Sequence, residues 1–432
     1  MRYYFLFGFF LIFFKAVCHE DEAILEEKLS QLQGVTYTKI STGDSSQLKY
    51  YLKIRQPIDH LHPEHGSFTQ YAILLHKSLK APTVMNTEGY FLYTSYNEVE
   101  NIFGANNLSI EHRYFGRSLP DSVDWSQATY ENVAADLHHI RRLFDDIYTN
   151  KWISTGISRG GQTAIIYKYF YPDDVDLVIP YVAPITLSPD DPRTHHFLDT
   201  IGSTDCRQKI KDIQVYLLKN EKKIIASLKN GIVENNYTFN YLGGVARAYE
   251  IGVLELPFAF WQTGAFDCDD LVKIKKRADY AQFFTNVTGF DFLHDNSIEE
   301  LATHYYMASA YSGYYGYDVT PFKEYLRHVT ENTSASFYPK DAGTIVFKGE
   351  LIHKINDWAQ HEANNILYIY GGQDTWTSCR VTPDTILNSA VFILPNANHY
   401  SARIKNMDNE MKELFADSVY KVLNIRPNFS DL

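Results

Sequence analysis

The segment GISRGG at residues 156–161 constrains this chain more than any other feature of its sequence. It follows a predicted strand at residues 151–155 and precedes a predicted helix that begins near Gly161 and ends before Pro172. A Gly-x-Ser-x-Gly string between a strand and a helix predicts a nucleophile elbow, a tight turn that exposes the serine hydroxyl at the sheet edge. Without that setting, the string would indicate only a loop serine. We therefore predict that Ser158 is a nucleophile.

The rest of the chain alternates strand and helix patterns. Two early segments rich in β-branched and aromatic residues, 50–54 and 71–75, predict antiparallel strands. Strand patterns then alternate with helix patterns at 129–147 and after the elbow, which predicts a mostly parallel sheet covered by helices on both faces. Residues 186–354 change to amphipathic stretches of helix length, such as 212–228 and 271–284, and strand patterns resume at 365–370 and 390–394.

These patterns predict an α/β-hydrolase fold with a large helical insertion. The predicted parts are a first core segment at 19–185, a helical lid at 186–354 and a second core segment at 355–432. A lid this long exceeds an ordinary loop and would restrict access to the serine.

A nucleophilic serine needs a base and an orienting acid, which in this fold follow it in the order Asp or Glu, then His. Asp374 follows the predicted strand at 366–370, and His399 follows the next one at 390–394. Alone, Asp374 would indicate a turn residue and His399 a surface histidine. Together, in this order and at the ends of successive strands, they predict a Ser158–His399–Asp374 triad. Trp376, two residues after Asp374, is a predicted substrate-binding residue.

The predicted oxyanion hole combines the backbone N–H of Arg159 with one from the loop after the third strand of the core, Gly89 or Tyr90. Glu88 adjoins this loop, and its carboxylate would oppose an oxyanion unless a cation neutralises it. Two interpretations stay open. Glu88 forms an internal ion pair with Arg113 or Arg117, or it binds the free α-amino group of a substrate.

Charge and the N-terminus bear on partners and localisation. The net charge of −12 argues against a nucleic-acid partner. Residues 1–18 have a basic start and a short apolar run, which predicts a signal peptide and a secreted or periplasmic protein without a stable membrane span after cleavage. The alternative is an N-terminal anchor that stays in the membrane. Lys15 and Val17 fit a lipoprotein signal poorly, so no lipid anchor is expected at Cys18.

The remaining cysteines, Cys206, Cys268 and Cys379, match no zinc pattern. A bridge between Cys206 and Cys268 is compatible with a secreted chain, but the sequence leaves their pairing open. No HExxH string, acidic calcium loop or nucleotide-binding glycine loop occurs, so neither a metal nor a cofactor is predicted.

Several motifs together carry a family resemblance. They are NTEGY at 86–90, EHRYFGRSLP at 111–120, the elbow string, YPDDVD at 171–176 and YVAP at 181–184. This set resembles the secreted PS-ten family of serine peptidases, the bacterial prolyl tripeptidyl aminopeptidases, and more distantly prolyl carboxypeptidase and dipeptidyl peptidase II. The likeness extends from about residue 52 to His399 and is weakest in the lid. Arg159 and Gln162 stand where that family typically has Lys and Met.

The resemblance implies a serine exopeptidase that releases short peptides, often tripeptides, from free N-termini with a preference for proline, and it places the triad at the same three residues. The residues alone reach only a secreted serine hydrolase with a lid. A lipase or carboxylesterase is the alternative, although the loop before Gly89 lacks a His-Gly-Gly-Gly string. A non-catalytic binding protein commonly lacks a triad member, and none is missing here.

Overall fold

The computed structural model describes residues 21–41, 48–93, 97–330, 337–430 and 432. The predicted signal peptide at 1–18, including Cys18, lies outside the described residues. The described chain begins with a helix at 21–31, called α1. Within these ranges, no helix is both long and apolar enough to cross a membrane.

Nine strands form one sheet in the order β1-β2-β3-β5-β4-β6-β7-β8-β9. The first three pair antiparallel, as does β3 with β5, whereas β4 pairs parallel with β5 and β6, and β7 pairs parallel with β8. The strands are β1 Val35–Ile40, β2 Leu48–Pro57, β3 Ser67–His76, β4 Thr83–Thr87, β5 Asn106–Ile110, β6 Trp152–Ile157, β7 Leu177–Tyr181, β8 Leu367–Gly371 and β9 Ala390–Leu394.

Side-chain patterns explain this layout. Buried positions alternate along β2, as expected for a strand with one face toward the core. Every residue of β5, β7 and β8 is buried, as expected for central strands covered on both faces. Parallel central strands joined by helices, with the elbow string between β6 and the next helix, confirm the predicted α/β-hydrolase fold.

The chain divides into two compact units. The first unit comprises the chain up to Pro180 together with Asn365–Leu367 and Asp408–Leu432. Its helices after α1 are α2 Glu98–Ile102, α3 Tyr130–Leu143, α4 Arg159–Phe170 and, from the end of the chain, α13 Asn409–Leu423. Side-chain caps begin three of them, because the Asn97 side chain accepts from the second N–H of α2, the Thr129 hydroxyl from the third N–H of α3 and the Asp408 carboxylate from that of α13.

The second unit comprises Tyr181–Asn364 and Tyr368–Met407. Between β7 and β8 it is helical, with α5 Pro192–Thr200, α6 Thr204–Lys219, α7 Glu221–Glu234, α8 Val245–Thr263, α9 Arg277–Val287, α10 Asp295–Glu300, α11 Ala302–Met307 and α12 Glu350–His361. These helices have an apolar core of their own, centred on α8, in which thirteen of nineteen residues are buried.

A disulfide joins Cys206 to Cys268 and establishes the pairing that the sequence left open. It links the first turn of α6 to the segment after α8. Cys379 is a buried free thiol whose pKa burial raises to about 12. The bridge therefore closes a covalent loop around α6, α7 and α8.

Candidate active site

Ser158 lies between β6 and α4 with a backbone φ of 57°. Residues other than glycine rarely adopt this region. It precedes the first residue of α4, so that helix's N-terminal N–H groups face the same turn. The serine is partly exposed, and its neighbour Ile157 is exposed. This strained, accessible turn has the backbone geometry of a nucleophile elbow.

Close backbone packing holds the elbow against the end of β4. The Thr87 hydroxyl is within hydrogen-bond distance of two carbonyls, those of Thr155 at 3.1 Å and Gly160 at 2.8 Å. A Cβ atom on Gly160 would lie 2.4 Å from the backbone carbonyl oxygen of Thr87, and one on Gly156 would lie 2.4 Å from the Gly160 carbonyl carbon. Only glycine therefore fits on either side of Ser158 at this separation.

The side chain of Arg159 ties the elbow to the predicted oxyanion loop. Its Nη1 donates to the Gly89 carbonyl at 2.6 Å, and its guanidinium carbon lies 5.4 Å from the ring centre of Tyr90 and 5.1 Å from that of Phe115. Burial lowers the pKa of Arg159. The sequence assigned only a backbone role to this residue, whereas the structure places its side chain between the two loops.

Glu88 is partly buried beside this loop. Its carboxylate accepts a hydrogen bond from the Asn86 amide at 2.9 Å. Burial raises the pKa of Glu88 to about 8, and this outweighs the opposite effects of hydrogen bonds from Tyr93 and Asn86. Below about pH 8 the side chain is therefore largely neutral, so it does not oppose an oxyanion as an ionised carboxylate would.

Of the two interpretations left open for Glu88, the ion pair with Arg113 or Arg117 is not formed among the described residues. Arg113 instead makes a buried bidentate pair with Asp136, at 2.7 Å from both Nε and Nη2. Arg117 donates to the Tyr51 hydroxyl at 2.8 Å. Fork-shaped pairing with a fully buried carboxylate satisfies the Arg113 guanidinium better than a single contact at a loop would.

Glu111 braces the same region. Its carboxylate accepts from the Ser118 N–H at 2.9 Å, the Ser118 hydroxyl at 2.7 Å and the Leu92 N–H at 3.1 Å. These bonds connect the end of β5 to the loops on both sides of it. The contacts fit a structural role for this carboxylate.

The second unit holds the predicted base and acid together. His399 Nδ1 lies 2.7 Å from Asp374 Oδ2, and both side chains are buried. The other carboxylate oxygen of Asp374 accepts the Trp376 N–H at 3.1 Å. This arrangement fixes the carboxylate and points Nδ1 of the imidazole at it, which leaves Nε2 as the ring nitrogen for proton transfer.

Helix α8 supports both loops. The Gln262 carbonyl accepts the backbone N–H of His399 at 3.0 Å, and the Thr263 carbonyl accepts the side-chain amide of Asn398 at 3.0 Å. Asn398 in turn accepts from the N–H of Ser401 at 2.9 Å. The histidine loop is therefore held by polar contacts at its backbone and at the residue before the imidazole.

Trp376 is part of an aromatic cluster in the second unit. Its ring centre lies 5.0 Å from that of Phe258, 5.3 Å from that of Tyr315 and 5.9 Å from that of Tyr314. Trp376 and Tyr314 are partly exposed, whereas Phe258 and Tyr315 are buried. The sequence singled out Trp376 but did not connect it to Tyr314 and Tyr315.

Among the described residues, two groups have metal-ligand chemistry. His62, Glu64 and His65 are exposed. In the other group, the Glu250 carboxylate accepts three consecutive backbone N–H groups from residues 327–329 at 2.7–2.8 Å, and Glu221 lies 3.3 Å from the Arg327 guanidinium. These carboxylates cap a loop and pair with an arginine.

Ser158 thus belongs to the first unit, and Asp374 and His399 to the second. Within the first unit the structure brings Ser158, Arg159 and Gly89 together, and within the second it brings Asp374, His399 and Trp376 together. The side-chain roles of Thr87 and Arg159 were not predicted from the sequence. In the sequence these two residues were distinguished only by their position next to a motif, because neither threonine nor arginine is a residue type that marks a nucleophile elbow.

A curated relative matches much of this chain. The prolyl tri/tetrapeptidyl aminopeptidase of Streptomyces mobaraensis is 32% identical over 328 residues, which covers 75% of this chain and 69% of the relative.

Solved structures match at low similarity. A proline iminopeptidase from Mycobacterium smegmatis aligns with a TM-score of 0.37 and 12% identity, over 90% of this chain and 98% of that one. An acetyl xylan esterase from Paenibacillus sp. R4 aligns with a TM-score of 0.30 and 14% identity, over 44% of this chain and 63% of that one, so the chain spans under two thirds of that structure.

The family comparison covers nearly the whole described chain. The PS-10 peptidase S37 family matches residues 24–419, a range that includes the elbow and both loops of the second unit. The chain therefore belongs to the PS-10 peptidase S37 family and is a serine peptidase.

Proposed function

We propose that this protein is a secreted serine exopeptidase that removes tripeptides from the free N-termini of peptides, with a preference for proline at the cleavage site. Its triad would be Ser158, His399 and Asp374. The 2.7 Å contact between His399 and Asp374 carries the proposal, because it supplies the oriented base that the strained serine requires.

The proposed reaction begins when Ser158 Oγ attacks the scissile carbonyl carbon and His399 Nε2 accepts the hydroxyl proton. The developing oxyanion is stabilised by the N–H of Arg159 and by that of Gly89 or Tyr90. His399 then gives its proton to the leaving amine as the C–N bond breaks, which leaves an acyl-enzyme. Water, deprotonated by the same imidazole, hydrolyses this ester and regenerates the serine. Asp374 keeps the imidazole tautomer throughout.

We further propose that Glu88 and Trp376 contact the substrate. Glu88 adjoins the oxyanion loop, and with no ion pair to Arg113 or Arg117 its carboxyl remains available to a ligand. Trp376 follows Asp374 and offers a partly exposed ring, which suits an apolar or proline side chain.

The domain roles are part of the same proposal. Residues 186–354 act as a lid that favours short peptides, and residues 19–185 and 355–432 form the hydrolase core. Support for the lid comes from its helical content and separate apolar core. Removal of a signal peptide at 1–18 would deliver the protein to the periplasm or the exterior.

The deciding experiment compares Ala-Ala-Pro coupled to a chromogenic amine, with its N-terminus free or acetylated, beside a short-chain ester. Ser158→Ala is the inactive control. We expect cleavage of the free peptide, with release of intact Ala-Ala-Pro. Cleavage of the ester alone would indicate an esterase and contradict the proposal.

A further inference from the structure

Glu255 lies on α8, the helix that supports the Asp374 and His399 loops. Three residues further along, the Phe258 carbonyl accepts the Thr375 hydroxyl at 3.1 Å. The next turn of the helix carries the Gln262 carbonyl, which binds the His399 N–H. Glu255 therefore occupies a fixed position relative to the proposed base.

The Glu255 carboxylate is buried among hydroxyl groups and aromatic rings. It is 3% exposed, and the Tyr315 hydroxyl lies 2.9 and 3.0 Å from its two oxygens. Tyr317 supplies a second hydroxyl, and burial raises the pKa of Glu255 to about 8. Within the described ranges no Lys, Arg or His forms an ion pair with it.

The surroundings of this carboxylate have the chemistry of an ammonium site. The Tyr315 ring stacks on that of Phe258 at 3.8 Å, and both rings adjoin Trp376, which is partly exposed. Aromatic faces attract cations, and a bound ammonium would favour the ionised form of the Glu255 carboxyl, opposing the effect of burial on its pKa. Such a carboxylate has about four lone-pair positions. Two tyrosine hydroxyls fill about half of them, so donors from a ligand can still be accepted.

The spacing along α8 suits a ligand of defined length. Glu255 and Gln262 are separated by seven helical residues, or about 10 Å at 1.5 Å per residue. An extended peptide spans about 10 Å over three residues but only about 7 Å over two. Measured along the helix axis, the backbone of Glu255 is therefore about one tripeptide length from the point where α8 binds the histidine loop.

We propose that Glu255 binds the α-amino group of the substrate and thereby sets the released product at three residues. This inference rests on the proposed exopeptidase function, and it names the group that recognises the free N-terminus. Glu88, by contrast, is next to Gly89, with Cα atoms about 3.8 Å apart. That position suits a contact close to the scissile bond.

The test measures kcat/KM for free and acetylated Ala-Ala-Pro anilides and for a short-chain ester in the wild type, Glu255→Gln and Glu88→Gln. Glu100→Gln is a matched control, since Glu100 is also buried with its pKa raised, to about 7, and belongs to the first unit. For Glu255→Gln we expect a loss of about 10- to 100-fold on the free peptide, mainly in KM, because a charge-assisted hydrogen bond is removed. Ester hydrolysis should change less than about twofold, as should all activities of Glu100→Gln.

An unchanged ratio of free to acetylated cleavage in a Glu255→Gln enzyme that still hydrolyses the ester would overturn the inference and leave the exopeptidase proposal intact. The inference is also overturned if Glu88→Gln alone abolishes the free-amine preference. A wild type that cleaves the ester but no peptide overturns both proposals.

A length series in the wild type keeps the inference testable if Glu255→Gln does not fold. Free Ala-Pro, Ala-Ala-Pro and Ala-Ala-Ala-Pro anilides place the amine two, three and four residues from the bond. We expect the three-residue substrate to have the highest kcat/KM. A maximum at two residues would contradict the spacing argument.

Discussion

The elbow of the first unit and the Asp374–His399 pair of the second are held in different ways. Around Ser158, backbone packs on backbone, with glycines where no Cβ fits and a buried arginine bonded to the adjoining loop. Around His399, side chains and α8 carbonyls supply directed hydrogen bonds. The first arrangement fixes a shape, and the second fixes a tautomer and a direction. Perturbations of the two should therefore produce different kinetic signatures.

The largest effect is expected from Asp374→Asn. An amide in place of the carboxylate favours the wrong imidazole tautomer while the loop geometry is retained, so kcat should fall by about 10⁴-fold. Peptide and ester turnover should fall together, whereas the unfolding temperature should change little. Loss of peptide cleavage alone would show that Asp374 binds substrate and is not part of a triad.

The elbow is tested with Arg159→Met. Loss of the Nη1 contact to Gly89 frees the loop that carries this proposed oxyanion donor, and we expect kcat to fall about tenfold or more with little change in KM, because a charge-assisted hydrogen bond is lost. Arg159→Lys keeps a cation that can reach the carbonyl and should recover part of kcat. Equal losses in both variants would mean that the guanidinium shape, rather than its charge, holds the loop.

Removal of the disulfide tests how much it contributes to the stability of the second unit, which contains α8. Replacing Cys206 and Cys268 with serine opens a loop of 62 residues and should lower the free energy of unfolding by about 2–4 kcal/mol. Denaturant titration with and without reductant measures this. Reductant should destabilise the wild type and leave the double variant unchanged. If reductant also destabilises the double variant, it acts at a site other than the Cys206–Cys268 bridge.

The smallest expected effect concerns the titration of Glu88. Its pKa in the folded protein, about 8, is above the ordinary carboxyl value, so the folded state binds this proton more tightly than the unfolded state does. The resulting stabilisation is complete below the unfolded pKa and is lost as the pH rises through about 8. The unfolding temperature should therefore fall more between about pH 6 and about pH 9 in the wild type than in Glu88→Gln. Parallel curves would show that Glu88 ionises normally.

The sequence predicted the elements around both loops, because strand ends and the elbow string are local patterns. Contacts between segments that are far apart in the sequence were harder to predict. One amphipathic stretch was predicted at 212–228, whereas α6 ends at Lys219 and α7 begins at Glu221. The backbone of Asn220, between them, leaves the helical conformation. Periodicity continues through such a break, so hydrophobic spacing alone does not reveal it.

The same limit applies to side chains. The pair of Glu88 with Arg113 or Arg117, one of two interpretations that the sequence left open, does not form among the described residues. Asp136, 23 residues along the chain on α3, binds Arg113, and the Tyr51 hydroxyl binds Arg117. Glu255 was missed, although a charged residue inside the apolar run 251–258 is a visible signal. Its partners, Tyr315 and Tyr317, are about sixty residues away, and only folding shows that they meet.

The backbone conformation of Ser158 implies that thermal stability and catalytic activity are opposed at this position. A serine at φ 57° costs roughly 1–2 kcal/mol that glycine would not. Ser158→Gly should therefore be more resistant to heat and completely inert. Screens of this chain for thermal tolerance alone would favour that substitution, so a selection for sturdier variants must also select for turnover.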